Sequence, residues 1–261
     1  MTVSTQNSRE RRKRVIEEAR KAEARRRRRV RLGIGGGAVI AAAAIAVGVT
    51  LGVSGGAAGS GTAGGTALRL APLSTLGPLA AAPSPGSPGP ESVPVPGAPA
   101  LAGTGSAAAG QSVDGIGCDT SEQTAFHIHA HLTVFVNGQA RQVPAAIGIP
   151  GAVTQNTPAG AFVSGGSCLY WLHTHAADGI VHIESPAQRT YTLGEFFDEW
   201  GQPLGPDQAG PAKGHVTVIY NGKVFEGNPR DVPLTAHAQI QLEVGTPLVA
   251  PESISWAGTG L

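Results

Sequence analysis

The most regular alternation of polar and apolar residues in this chain lies between residues 126 and 136. Its apolar positions are Ile128, Ala130, Leu132, Val134 and Val136. The positions between them are His127, His129, His131, Thr133 and Phe135. Because successive side chains of a β-strand point to opposite faces, this pattern predicts a strand with one apolar face and one face that carries histidines. The Asn137-Gly138 dipeptide that follows predicts a tight hairpin turn.

Similar patterns later in the chain predict further strands and one helix. The predicted strands are Cys168–His175, Ile180–Glu184, His215–Tyr220, Lys223–Phe225 and His237–Val244. Thr192 and Glu195 have the spacing of a capping box, which predicts a helix over Leu193–Trp200. We therefore expect residues 113–250 to form a mainly β domain, an antiparallel sandwich or partial barrel with one short α-helix. Residues 251–261 are expected to form a C-terminal tail.

Charge is distributed unevenly along the chain. Residues 1–32 contain 13 of the 19 Lys and Arg and 4 of the 18 Asp and Glu, a formal charge of +9. Residues 33–54 contain no charged residue, and they match the roughly 20 residues that a helix needs to cross a bilayer. Basic residues directly before an apolar span predict a cytoplasmic head and an exported C-terminal part. We expect the lipid bilayer to be the partner of this region, and we expect no nucleic acid.

The N-terminal half has one alternative interpretation and one further predicted segment. A cleaved signal peptide is the alternative to a single-pass transmembrane helix over residues 33–54, and in both cases the histidine-bearing domain is extracytoplasmic. Residues 55–112 are rich in Gly, Ala, Ser and Pro with almost no charge, which predicts a disordered linker.

The second histidine cluster contains His173, His175, His182 and Glu184. A two-residue turn at Asp178-Gly179 would place His175 opposite His182, whereas a four-residue loop would place His173 opposite His182. Both turns are even in length and keep these side chains on one face of a hairpin, and the Asp-Gly dipeptide favours the two-residue form.

Imidazole and carboxylate groups on neighbouring strands are typical of a transition-metal site, with Zn or Cu as the expected ion. The candidate ligands are His127, His129, His131, His173, His175, His182 and Glu184. We expect the two clusters to meet across a barrel or between two sheets. A proton-responsive patch and a purely structural role for the histidines remain alternatives. A blue-copper site is not expected, because the only methionine is Met1.

The chain has two cysteines, Cys118 and Cys168. In an exported domain two cysteines most simply form one disulfide, which would close a loop of about 50 residues. Thiolate metal ligands and free thiols are the alternatives.

Three segments carry a resemblance to a known family, namely Cys168–His175, Gly179–Pro186 and Thr192–Gly201. Over about residues 115–245 the chain resembles an uncharacterised family of bacterial membrane-anchored, histidine-rich extracytoplasmic domains with no established activity. Related sequences often place an acid directly after His-Thr-His, and this chain has Ala176 there. If that acid is a ligand in the family, the site of this chain is altered.

Three functions fit these patterns. The first is a membrane-anchored extracytoplasmic domain that binds a transition metal for storage, delivery or sensing. The second is a metal-dependent enzyme with an open coordination position, in which Glu184 would be the general base. The third is a structural or partner-binding module of the envelope without a metal.

Overall fold

In the computed structural model, which describes residues 68–105 and 108–261, the alternating segment forms the strand Phe126–Val136 as predicted. The predicted basic head (1–32), the predicted transmembrane helix (33–54) and the first part of the predicted linker lie outside the described residues. Among the helices that the structure does describe, none has the length and apolar character needed to cross a bilayer.

The described residues form nineteen strands, one α-helix and two short 3₁₀ turns. The strands are β1 (Leu70–Ala71), β2 (Ser87–Pro88), β3 (Pro94–Val95), β4 (Cys118–Asp119), β5 (Phe126–Val136), β6 (Gln139–Arg141), β7 (Val153–Thr157), β8 (Gly160–Gly165), β9 (Leu169–Tyr170), β10 (Leu172–His173), β11 (Ile180–Ser185), β12 (Tyr191–Thr192), β13 (Leu204–Gly205), β14 (Gln208–Ala209), β15 (Ala212–Lys213), β16 (Val216–Tyr220), β17 (Lys223–Phe225), β18 (Pro233–Leu234) and β19 (Gln239–Val244). The α-helix is α1 (Leu193–Trp200), and the 3₁₀ turns are Leu73–Leu76 and Pro229–Asp231.

One eight-stranded sheet organises the domain. Its strand order is β1-β17-β16-β19-β5-β11-β10, with β6 paired to β5. The prediction of a mainly β domain with one helix is confirmed. The expectation of an antiparallel arrangement is wrong for this sheet, which is mixed because β5 and β19 pair in parallel while its other pairs are antiparallel. Parallel pairing requires a long connection, and about 100 residues separate these two strands along the chain.

The hydrophobic core lies on the apolar face of β5. Ala130, Leu132 and Val134 are buried there together with Phe196, Phe197 and Trp200 of α1. The predicted capping box is present, because the Thr192 hydroxyl accepts from the backbone N–H of Glu195 at 3.3 Å and the Glu195 carboxylate accepts from the backbone N–H of Thr192 at 2.7 Å. The helix thus packs with the apolar residues of β5, and the histidines lie on the opposite face of the strand.

The predicted disordered linker (55–112) is described over residues 68–105 and 108–112, and this part, called the proline-rich segment below, is packed against the domain. Within it, β1 pairs with β17, Val93 is fully buried and Leu101 joins the core. A proline has no backbone N–H that a sheet must satisfy, so such a segment can cover a sheet face without regular pairing. Its scattered apolar residues are sufficient to attach it to the domain.

The C-terminal residues follow the main sheet. The backbone N–H groups of Glu252 and Ile254 donate to the side-chain oxygens of Gln241 and Gln239 at 2.8 and 3.2 Å. The tail expected over residues 251–261 is therefore packed against β19 in its first residues.

Candidate metal centre

The two histidine clusters lie on adjacent strands of one sheet. Strand β11 pairs antiparallel with β5, so that His182 lies opposite His129 and Glu184 lies opposite His127. The expectation that the clusters meet across a barrel or between sheets is therefore wrong. Directly opposed residues share a face and have Cβ atoms about 5 Å apart, which is close enough for the side chains to bind one ion.

The register between β10 and β11 is that of the four-residue alternative. His173 lies opposite His182, and the favoured two-residue turn is wrong. The pairing ends at His173, so residues 174–179 connect the two strands. A type I′ turn needs positive φ at both central residues, but of the Asp-Gly pair only Gly179 has it, with a φ of 86°. The Asp178 carboxylate instead accepts the backbone N–H of Ile180 at 3.1 Å. The two predicted registers differ by an even number of residues, so His173 and His182 still lie on one face of the sheet.

The first ligand group contains His127, His129, His182 and Glu184. The Nε2 atom of His129 lies 3.1 Å from His127 Nε2 and 3.1 Å from His182 Nδ1. The Oε1 atom of Glu184 lies 3.1 Å from His127 Nε2 and 3.3 Å from His182 Nδ1. Two nitrogens bound to one tetrahedral Zn²⁺ are about 3.3 Å apart, so these separations fit a shared ion.

One side of this first group is open to solvent. The side chain of His127 is 40% exposed, whereas those of His182 and Glu184 are 7% and 3% exposed. Burial and the neighbouring His182 lower the pKa of His129 to about 3, which keeps its imidazole neutral and able to bind a metal.

The second ligand group contains His173, His175 and again His182. The Nδ1 of His173 donates to the Tyr170 carbonyl at 2.7 Å, and the Nδ1 of His175 donates to the Val163 carbonyl at 2.5 Å. A carbonyl can only accept, so both rings carry their proton on Nδ1 and expose a lone pair on Nε2. Burial, followed by the charge of His182, lowers the pKa of both rings and keeps them neutral.

These two exposed lone pairs face each other. The Nε2 atoms of His173 and His175 are 3.1 Å apart, and neither has a hydrogen to share when both rings are neutral. Two lone pairs at this distance repel unless a cation lies between them. A backbone carbonyl on the other ring nitrogen is the usual outer contact of a histidine that binds a metal.

A carboxylate that the sequence patterns did not identify reaches the shared histidine. The Oε1 of Glu91, from the proline-rich segment, lies 2.8 Å from His182 Nε2, and both side chains are buried. Although burial by itself lowers the pKa of His182, hydrogen bonds to Glu184 and Glu91 raise it to about 9. One sequence signal was present, because Glu91 is the only charged residue between Arg69 and Asp114.

A second unpredicted carboxylate lies at the rim. The Oε1 of Glu122 is 3.6 Å from His175 Nε2, and the side chain is 46% exposed. Glu122 also forms a third compact ligand group with His173 and Glu184.

His131 is the one predicted ligand that the structure leaves outside these groups. Its Nε2 donates to the Asp178 backbone carbonyl at 3.0 Å. Register explains the difference, because His131 lies opposite Ile180 rather than opposite a ligand.

Cys118 and Cys168 form the predicted disulfide across 50 residues. It joins β4 to the start of β9, where Cys118 pairs with Tyr170. Tyr170 is the residue whose carbonyl orients His173, so the disulfide supports the second ligand group and supplies no thiolate ligand.

Comparison of the chain with protein-family models, with curated proteins and with solved structures finds no match. The resemblance to a family of histidine-rich envelope domains therefore stays a prediction.

Proposed function

We propose that this domain binds Zn²⁺ or Cu²⁺ through its two linked ligand groups. The proposed ligands are His127, His129, His173, His175, His182 and Glu184. Glu91 accepts the Nε2–H of His182, which leaves Nδ1 as the one nitrogen through which His182 can bind an ion in either group. Nitrogen and carboxylate ligands of this kind suit either ion.

The facing lone pairs of His173 and His175 carry the proposal. A structural histidine uses its second nitrogen for a hydrogen bond, and a proton sensor needs a pKa near neutrality. Here the second nitrogens face each other at 3.1 Å, and the pKa of each ring is lowered by burial. A bound cation satisfies both nitrogens at once.

We further propose that the domain is held outside the cytoplasm by a single membrane-spanning helix over residues 33–54. The uncharged span directly after a strongly basic segment supports this placement. The Cys118–Cys168 disulfide supports it independently, because disulfides persist in oxidising compartments.

Metal content of the full chain, purified in detergent, tests the binding proposal. We expect bound zinc or copper by mass spectrometry, and a loss of at least tenfold in affinity for His173→Gln measured by titration calorimetry. His215→Gln is the matched control, because the side chain of His215 is 78% exposed and lies outside the ligand groups. If wild type binds neither ion, or if both variants bind equally, the proposal is wrong and an envelope module without a metal is favoured.

A metal-dependent enzyme is the second candidate, and the exposure of His127 at the edge of the first group favours it. An exposed ligand leaves room for a substrate beside the ion, and Glu184 is placed to accept a proton there. Substitution with Co²⁺ and titration with azide would separate the two functions. A change in the visible spectrum on adding azide indicates an open position, and an unchanged spectrum indicates a closed binding site.

A further inference from the structure

A cavity of about 300 Å³ lies next to the ligand groups along β5. Its walls come from three parts of the chain, namely the proline-rich segment, the β10–β11 loop and the C-terminal residues. Its apolar lining includes Pro88, Pro94, Pro96 and Ile254. This volume is at the lower end of the range for small-molecule sites, and such sites combine apolar walls with a few polar groups.

Three buried polar atoms in this lining have no hydrogen-bond partner. They are Asp178 Oδ2, Glu252 Oε1 and His131 Nδ1, and the last of these has the Gln239 side chain beside it. His131 and Asp178 are only 7% and 2% exposed. A buried polar atom without a partner destabilises the fold, so three such atoms around one cavity favour a ligand whose groups satisfy them.

All three atoms can act as acceptors. The Nε2 of His131 donates to a carbonyl, so its Nδ1 offers a lone pair. The other oxygen of Asp178 accepts the backbone N–H of Ile180, which leaves Oδ2 free to bind a donor. The lining of the cavity therefore favours a ligand with several hydrogen-bond donors.

The spacing and charge of the lining narrow the ligand class. His131, Asp178 and Glu252 do not belong to the compact ligand groups found among the described residues, so one small metal ion cannot contact all three. Two carboxyl groups line the cavity, together with the guanidinium of Arg141, which already donates to the Ala140 carbonyl at 2.8 Å. Burial raises the pKa of Asp178 to about 7 and also raises the pKa of Glu252. A bound cation would favour the ionised form of both groups, whereas an anion would oppose it.

We propose that this cavity binds a small organic cation, an amidinium or a primary ammonium with an apolar body. The donors of the cation bind Asp178, Glu252 and His131, and its apolar body packs against the prolines. None of these three residues is a proposed metal ligand, although Asp178 interacts electrostatically with Glu91 and His182.

Titration of the full chain with benzamidine tests this proposal, with benzoate as a size-matched anion and benzamide as a neutral analogue. A protonated amidine is a poor metal ligand, and the titration is run after chelator treatment, so failure of the metal proposal would not affect the result. We expect calorimetry to detect benzamidine binding that is at least tenfold tighter than that of either analogue.

Variants locate the binding. Glu252→Gln and Asp178→Asn each remove one negative charge and keep the shape of the side chain, and we expect at least tenfold weaker benzamidine binding in one or both. Glu226→Gln is the matched control, because Glu226 is 48% exposed and pairs with Arg69 away from the cavity. Circular dichroism confirms that each variant is folded. Absent benzamidine binding, equal binding of benzoate, or unchanged affinity in both cavity variants would overturn the proposal.

Discussion

Glu91→Gln removes the charge that the proline-rich segment places against His182. In the metal-free protein, the carboxylate of Glu91 lies 2.8 Å from Nε2 of a ring whose pKa is raised to about 9, mainly by hydrogen bonds to Glu184 and Glu91 that outweigh the effect of burial. A histidine whose pKa is higher in the folded state stabilises that state fully below its ordinary pKa of 6.5. The stabilisation is lost as the pH rises through about 9.

The size of the effect follows from this shift. A pKa raised from 6.5 to about 9 corresponds to about 3 kcal/mol, which Glu91 and Glu184 share. We therefore expect Glu91→Gln to lower the free energy of unfolding by about 1.5 kcal/mol more at pH 6 than at pH 10. In the metal-loaded protein, loss of a carboxylate that orients a ligand should weaken metal affinity by about 10- to 100-fold.

Urea denaturation of the chelator-treated full chain at pH 6 and pH 10 measures the first effect. Wild type, Glu91→Gln and the exposed control Glu226→Gln are compared at both pH values, because only the difference between variants isolates His182. A destabilisation by Glu91→Gln that is the same at pH 6 and pH 10 would refute the ion pair. A metal affinity equal to that of wild type would refute the orienting role.

Three further changes test other parts of the structure. Replacing Cys118 and Cys168 by serine should lower the free energy of unfolding by about 4 kcal/mol, the chain-entropy value for a 50-residue loop, and a melting temperature equal to that of wild type would contradict this. Glu199 is fully buried without a cationic partner among the described residues, and burial raises its pKa well above the ordinary value despite a backbone hydrogen bond at Leu172. Wild type should therefore lose stability relative to Glu199→Gln as the pH rises from 5 to 8 in urea denaturation, and parallel pH profiles would argue against the raised pKa. Gly179→Ala should lower the melting temperature, because a Cβ there would lie 2.3 Å from the Leu132 carbonyl at a φ of 86°, and an unchanged melting temperature would show that the turn can relax.

Much of the local structure could be predicted from the sequence. The alternation over residues 126–136 gave the strand and its two faces, because a strand has a side-chain period of two. The Asn-Gly dipeptides at Asn137 and Asn221 form turns with positive φ at both residues, as their composition predicts. The helix Leu193–Trp200 begins and ends where its capping residues indicate. Each of these features depends on residues within a few positions of each other.

Most residues of the candidate site could also be predicted from local sequence patterns. Six of the seven predicted ligands lie in the compact groups, because histidines that alternate on a strand must share a face. His131 lies outside these groups, since its neighbour on β11 is Ile180 and register is not encoded in either strand alone.

Only the tertiary structure decided how these pieces meet. It placed β11 beside β5, set His173 opposite His182, and brought Glu91 to His182 across 91 residues of sequence. It also packed a proline-rich segment that composition alone describes as disordered. The physical reason is the range of the interactions. Strand periodicity and turn chemistry act over a few residues, whereas strand partners and a buried ion pair are selected by which distant surfaces can exclude water together.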